Sequence, residues 1–232
     1  VNGDVLTDLD IGALWDFHHR SGAEGTIALT PVDDPSRYGV VPIDGDGRVE
    51  AFVEKPPPGE APTNWINAGT YVLEPSVLDR IPAVAKASIE RRTFPDMVAD
   101  RSLYALHSDA YWVDAGTPST YLQVQLDLID GVRGVAEAAV DARATVAADA
   151  EVSHSVVMAG AEVRSGAVVR DSVLLPGARI HDGAIVDGSI VGARAIVGAR
   201  AEVRRLSVVG QDTTVDAGTV HDGAKIPEDA SA

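Results

Sequence analysis

The chain has 232 residues, 45% of them apolar, no cysteine, and 19 basic against 35 acidic groups for a formal charge of −16. That apolar share is enough for packed cores, and at this hydropathy a large negative charge does not make a chain disordered. The composition excludes disulfide frameworks, thiolate zinc sites and thiol nucleophiles, and excess acid argues against a nucleic-acid partner. No apolar run reaches the roughly 18 residues of a membrane span and no charged-then-apolar leader is present, so the expectation is a cytoplasmic protein with no membrane partner. The first residue is Val1 instead of Met, which reads as a piece of a longer chain.

In chain order, residues 1–4 read as the end of a strand. Residues 11–17 carry an amphipathic helix, with Asp8 or Asp10 as its amino-terminal cap and Gly22 as its stop. His18 and His19 fall together on its polar side and read as solvated. Residues 26–32 predict a strand. Residues 40–43 and 48–53 flank Asp44-Gly45-Asp46-Gly47, a hairpin turn whose glycines supply positive φ. Strands are expected over 67–73, 102–107 and 112–113, a short helix over 95–100, and a helix over 118–129 capped by Thr117 with Pro118 at its first position. This alternation predicts a layered α/β sheet.

The second half differs in kind. All eleven aromatic residues lie at or before Tyr121, and eleven of thirteen prolines lie in the first half. Residues 1–134 carry a net charge of −11 and residues 135–232 one of −5, which places two domains at 1–134 and 135–232. From Val140 onward, aliphatic residues recur at Val146, Val152, Val157, Val163, Val169, Leu175, Ile180, Val186, Val191, Val197, Val203, Val209, Val215, Val220 and Ile226. Of those fifteen intervals eleven are six residues and four are five, with small residues between. A helix would need spacings of three and four, and a hairpin sheet strict alternation. A six-residue period is one flat strand plus one turn, and three such sides close a triangular coil of 16–18 residues, stacked about five times. The pattern resembles the hexapeptide-repeat left-handed parallel β-helix.

Chemistry is sparse in the first half. The only lysines are Lys55, Lys86 and Lys225, in a chain that otherwise uses Arg. Lys55 stands in Phe52-Val53-Glu54-Lys55-Pro56, where the proline ends a strand and leaves a carboxylate and an ammonium at its carboxyl edge. That pair suits sugar hydroxyls and a phosphate, although a plain surface ion pair has the same look. Asp4 and Asp114 each follow an apolar strand. Two such carboxylates, from distant parts of the chain, suit Mg²⁺, which takes few protein ligands plus water and phosphate oxygens; each is equally placed to cap the helix after it.

Taken together, Asn2-Gly3-Asp4, Tyr38-Gly39-Val40-Val41, Phe52-Val53-Glu54-Lys55-Pro56, Asn67-Ala68-Gly69-Thr70-Tyr71 and Trp112-Val113-Asp114-Ala115-Gly116-Thr117-Pro118 resemble the sugar-1-phosphate nucleotidyltransferases in order and spacing. Ser88-Ile89-Glu90 with Phe94-Pro95, and the appended β-helix, are most similar to the members that join GTP and mannose 1-phosphate. The resemblance implies the carboxyl-terminal part of a Rossmann-like nucleotidyltransferase sheet followed by the β-helix. It implies a nucleoside triphosphate and a sugar 1-phosphate as small-molecule partners, Mg²⁺ as cofactor, and a homo-oligomer. It assigns Asp4 and Asp114 to the metal, Lys55 to the sugar phosphate, and Gly39, Glu54, Asn67, Gly69 and Thr117 to substrate, with Lys55, Asp4 and Asp114 at the reacting phosphates. The family's G-x-G-T-R run, which holds the triphosphate, does not occur in these 232 residues. The chain alone is therefore expected to be inactive. Two alternatives stand beside this reading: a non-catalytic subunit of the same fold, and a hexapeptide-repeat acyltransferase, which would need a catalytic His among His154, His181 and His221.

Overall fold

The computed structural model describes residues 1–82 and 88–227; Lys86 lies outside them. It divides into two compact units, Val1–Val113 and Asp114–Ala232.

The first unit is built on a mixed five-stranded sheet. Its strands are β2 (Gly25–Pro31), β3 (Gly39–Val40), β4 (Val53–Glu54), β5 (Trp65–Leu73) and β6 (Leu103–His107), in the order β4-β3-β5-β2-β6. Within this sheet β2 and β6 run parallel and the other neighbours antiparallel. A further strand, β1 (Val5–Thr7), pairs with β7 (Trp112–Asp114). The expected strand end at residues 1–4 is instead a turn at Gly3-Asp4 that leads into β1. Side chains of β2 alternate between two cores: Ile27 and Leu29 pack with Phe94, Met97 and Leu103, whereas Ala28 packs with Leu14 and Ala68.

Helix α1 (Ile11–Ser21) is capped by Asp10, whose Oδ1 accepts the Ala13 amide at 2.9 Å, and it stops at Gly22 in the left-handed region. His18 corrects the solvated reading. It follows Leu14 by four residues, so both lie on the face turned to the sheet, and both are essentially fully buried. Its Nδ1 meets Thr26 Oγ1 at 2.9 Å and its Nε2 meets Glu74 Oε1 at 3.2 Å. His19, one residue on and about 100° around the helix, is exposed, with its ring nitrogen on the Trp15 carbonyl. In the hairpin only Gly47 takes positive φ (81°), and Asp44 Oδ1 closes the turn by accepting the amides of Asp46 and Arg48. A π-helical turn, Ile89–Thr93, runs directly into α2 (Phe94–Ala99).

Glu24 ties three elements of this unit together. It accepts from Arg80 Nε and Nη2 at 2.9 and 2.7 Å and from Ser102 Oγ at 2.8 Å, which holds its carboxyl below the usual range. A depressed folded-state pKa contributes stability that is present above the unfolded value of 4.5 and lost as pH falls through the folded value. Glu24→Gln is expected to cost about 1–3 kcal/mol in urea unfolding at pH 7. Its difference from wild type should shrink as pH drops below 4.5; a difference independent of pH would show that charge is not what Glu24 contributes.

The second unit begins with α3 (Pro118–Asp130), capped by Thr117, and continues as a parallel β-solenoid of about five turns. The composition shift near Gly131 thus comes after α3, whereas the contacts group α3 with the solenoid. Three five-stranded parallel sheets form the sides; one comprises Val156–Val157, Val173–Leu174, Ile190–Val191, Val208–Val209 and Lys225–Ile226. Successive coils stack aliphatic on aliphatic: Val163 on Ile180 on Val197 on Val215, and Val169 on Val186 on Val203. Between stacked coils this narrow interior has no place for a Phe, Tyr or Trp ring, which accounts for the missing aromatics.

Two residues of the sequence repeat lie elsewhere in the register. Leu174, not Leu175, stacks between Val157 and Val191. In the last coil His221, not Val220, aligns with Val203, and Val220 is 64% exposed. Val140 and Val146, each stacked on one side only, are also exposed. At one corner Ser155, Ser172 and Ser189 form a buried column: Ser155 Oγ accepts the Ser172 amide, Ser172 Oγ accepts the Ser189 amide, and each hydroxyl donates to the carbonyl two residues before it.

Candidate active site

Gly39 opens β3 and Glu54 closes β4. Because these strands are antiparallel, the two residues face each other as a register pair. A Cβ on Gly39 would lie 2.7 Å from the Phe52 ring and 3.3 Å from Glu54 Oε2, so the position has no room for a side chain. Lys55 leaves the ladder with its amide on the Tyr38 carbonyl at 2.9 Å and with φ at 49°. A residue before proline disfavours helical backbone, and a non-glycine residue at left-handed φ costs on the order of 1–3 kcal/mol. The strained turn puts the ammonium 3.9 Å from Glu54 Oε1, with Lys55 mostly exposed and Glu54 half-buried.

Asn67 sits in the middle of β5, buried. Its Nδ2 donates to Tyr71 Oη and to Glu90 Oε1, both at 2.9 Å, and its Oδ1 accepts the Gly69 amide at 3.0 Å. Gly69 needs its glycine: φ is 70°, and a Cβ would meet the Asn2 side chain at 2.7 Å. The Gly69 carbonyl accepts the Asn2 amide at 2.8 Å, and Trp112 Nε1 donates to the neighbouring Ala68 carbonyl. Burial pushes the Tyr71 hydroxyl up to about 12, with the Glu90 and Glu54 charges adding to the effect. Burial and the Glu54 charge likewise raise the Glu90 carboxyl.

The structure thus gathers Gly39, Glu54, Lys55, Asn67 and Gly69 in one unit, and adds Tyr71, Glu90 and Asn2. Tyr71 and Glu90 lie within motifs that the sequence singles out, yet nothing in a linear reading says that Glu90 meets a residue 23 positions earlier. Asp4 is exposed in the turn before β1. Asp114 ends β7, and its Oδ1 accepts the Gly116 amide at 2.8 Å. Thr117 is exposed and commits its hydroxyl to a capping box with Thr120 at the start of α3. No group of three or more His, Asp or Glu among the described residues is arranged to hold a metal.

This arrangement, the Lys55 ammonium and Glu54 carboxylate beside a glycine that admits no side chain, with Glu90 held by Asn67, sits within residues 1–131, which match the nucleotidyl transferase family model. The chain belongs to the nucleotidyl transferase family. Residues 135–229 match a second model, the GMPPB C-terminal domain. Among curated relatives, the mannose-1-phosphate guanylyltransferase of Mycobacterium tuberculosis is 43% identical over 133 residues, covering 56% of this chain and 36% of the relative. The mannose-1-phosphate guanylyltransferase catalytic subunit beta of Drosophila melanogaster is 45% identical over 122 residues (53% and 32%). The mannose-1-phosphate guanyltransferase of Candida albicans is 45% identical over 124 residues (53% and 33%). The chain thus matches about a third of the length of these relatives.

Proposed function

We propose that this nucleotidyltransferase chain carries the sugar-phosphate side of guanylyl transfer from GTP to mannose 1-phosphate. A phosphate oxygen of the sugar phosphate attacks the α-phosphorus of the nucleotide, one P–O bond forms, and the bond to pyrophosphate breaks. The attacking oxygen is already anionic, so the reaction needs positioning and charge stabilisation and no covalent nucleophile. Lys55 holds the sugar phosphate as a compact point charge. Glu54 accepts from sugar hydroxyls, and Gly39, whose missing Cβ makes room for the Phe52 ring, contributes its backbone to the sugar site. Asp4 and Asp114 are hard oxygen donors that fit Mg²⁺, since that ion takes one or two carboxylates and completes its shell with phosphate and water. Bound there, it would neutralise charge on the phosphates.

The observation that carries the proposal is the meeting of Lys55 and Glu54 beside the Cβ-free Gly39. The names of the relatives supply the substrate. The acyltransferase alternative is not favoured. Residues 1–131 match the nucleotidyl transferase family model, and His154, one of the three histidines that acyl transfer could use, hydrogen-bonds to Asp171 and Asp130, which raises its pKa. We also propose a cytoplasmic homo-oligomer that binds GTP. No helix among the described residues is long and apolar enough to cross a membrane.

Calorimetric titration of the 232-residue chain tests the reading. Mannose 1-phosphate should bind more tightly than either mannose or inorganic phosphate. The polypeptide holds no G-x-G-T-R run, so no GDP-mannose should form from GTP and mannose 1-phosphate. Failure to bind mannose 1-phosphate would refute the sugar-phosphate assignment, and turnover would refute the need for that run.

A further inference from the structure

Asn67 has two amide hydrogens, and both are used inside the protein. One goes to Tyr71 Oη and the other to Glu90 Oε1. The orientation of the amide is fixed, because the Gly69 N–H needs an acceptor and finds Oδ1. Asn67 therefore has no donor left for a ligand, and at 8% exposure it serves as the floor of the site. The hydroxyl-reading role that its position suggests has to fall to another group.

Glu90 is that group. It projects from the π-helical turn Ile89–Thr93, a backbone form common at functional sites. Asn67 occupies one carboxylate oxygen, and a carboxylate has about four acceptor positions in all. Glu90 is partly buried and feels both the Glu54 carboxylate and the Lys55 ammonium. Two carboxylates that feel each other's charge repel, and hydrogen-bond donors placed between them relieve the repulsion. Neighbouring hydroxyls of a hexose are such donors, and Lys55 stands ready for the phosphate of the same molecule.

We infer that Glu90 is a specificity-determining residue, which with Glu54 accepts from adjacent hydroxyls of the sugar 1-phosphate, while Asn67 only shapes the floor beneath them. This rests on the sugar-phosphate reading above, and the experiment separates the two. Glu90→Gln keeps an oxygen for the Asn67 amide and removes the charge. Its far-UV spectrum and melting should match wild type. Its affinity for mannose 1-phosphate should fall about tenfold or more, the effect of a charge-assisted hydrogen bond, with inorganic phosphate binding unchanged. On the wild-type chain, one of the monodeoxy mannose 1-phosphates should show a similar loss, and for that analogue Glu90→Gln should cost nothing further. Equal affinity of Glu90→Gln and wild type for mannose 1-phosphate overturns this inference alone, as does a parallel loss of inorganic phosphate binding. A wild-type chain that binds no mannose 1-phosphate overturns the sugar-phosphate reading and this inference with it.

Discussion

Val191→Asp is expected to unfold the solenoid. Val191 is fully buried and paired in register with Leu174 on one side and Val209 on the other, so the carboxylate would enter an interior of aliphatic side chains. Burying a carboxylate without a partner costs at least several kcal/mol, against a typical total stability of about 5–15 kcal/mol for a domain. The solenoid transition should disappear from a far-UV circular dichroism melt at 25 °C and above. Val220→Asp is the informative control, because the five-and-six spacing ranks the two valines alike. Val220 is exposed, so its replacement should change stability by no more than about 0.5 kcal/mol. Equal effects at the two positions would refute the register.

Lys55→Ala is expected to remove most of the affinity for mannose 1-phosphate. One charge-assisted contact to phosphate corresponds to about 1.5–3 kcal/mol, or roughly ten- to a hundredfold in affinity. Lys55 adopts a left-handed φ of 49° immediately before Pro56. A glycine there should relieve backbone strain, so Lys55→Gly should melt no lower than wild type while binding mannose 1-phosphate as weakly as Lys55→Ala. Strong binding by either variant would assign the phosphate to another cation.

The solenoid was the most legible part of the chain, because its physics is one-dimensional. Each side of a coil repeats the same short demand for an aliphatic residue facing inward, so the period is written openly in the sequence. Leu175 and Val220 show the limit of that reading. Where two apolar residues are adjacent, as at Leu174-Leu175, spacing alone does not tell which one points inward, and pairing to the next coil decides it. In the final coil the inward position holds His221, which an aliphatic pattern passes over. His18 departs from its expected exposed place for a related reason. Its polarity outweighed the four-residue offset from Leu14, yet Thr26 and Glu74 meet both ring nitrogens and so offset the cost of burial. In the candidate site, Gly39, Glu54 and Lys55 were readable as a strand end beside a proline. The commitment of Asn67 to Glu90 and Tyr71 was not, since it joins β5 to a π-helical turn that no local propensity announces.

The serine column bears on how the solenoid counts. Each rung needs a hydroxyl placed seventeen residues before the amide it receives, so a coil of seventeen closes the rung and a coil of eighteen does not. The coil from Ser189 to Ser207 is the longer kind, with Ile190 aligned to Val208, and there the Ser207 amide turns to the Arg204 carbonyl. Its added length falls beside Arg205 and Leu206, two consecutive residues at left-handed φ. Ser207 Oγ then takes the Ala224 amide, and the seventeen-residue count resumes. The column acts as a ruler with one skipped mark, which confines variation in coil length to a single corner and leaves the aliphatic stack beneath it in step.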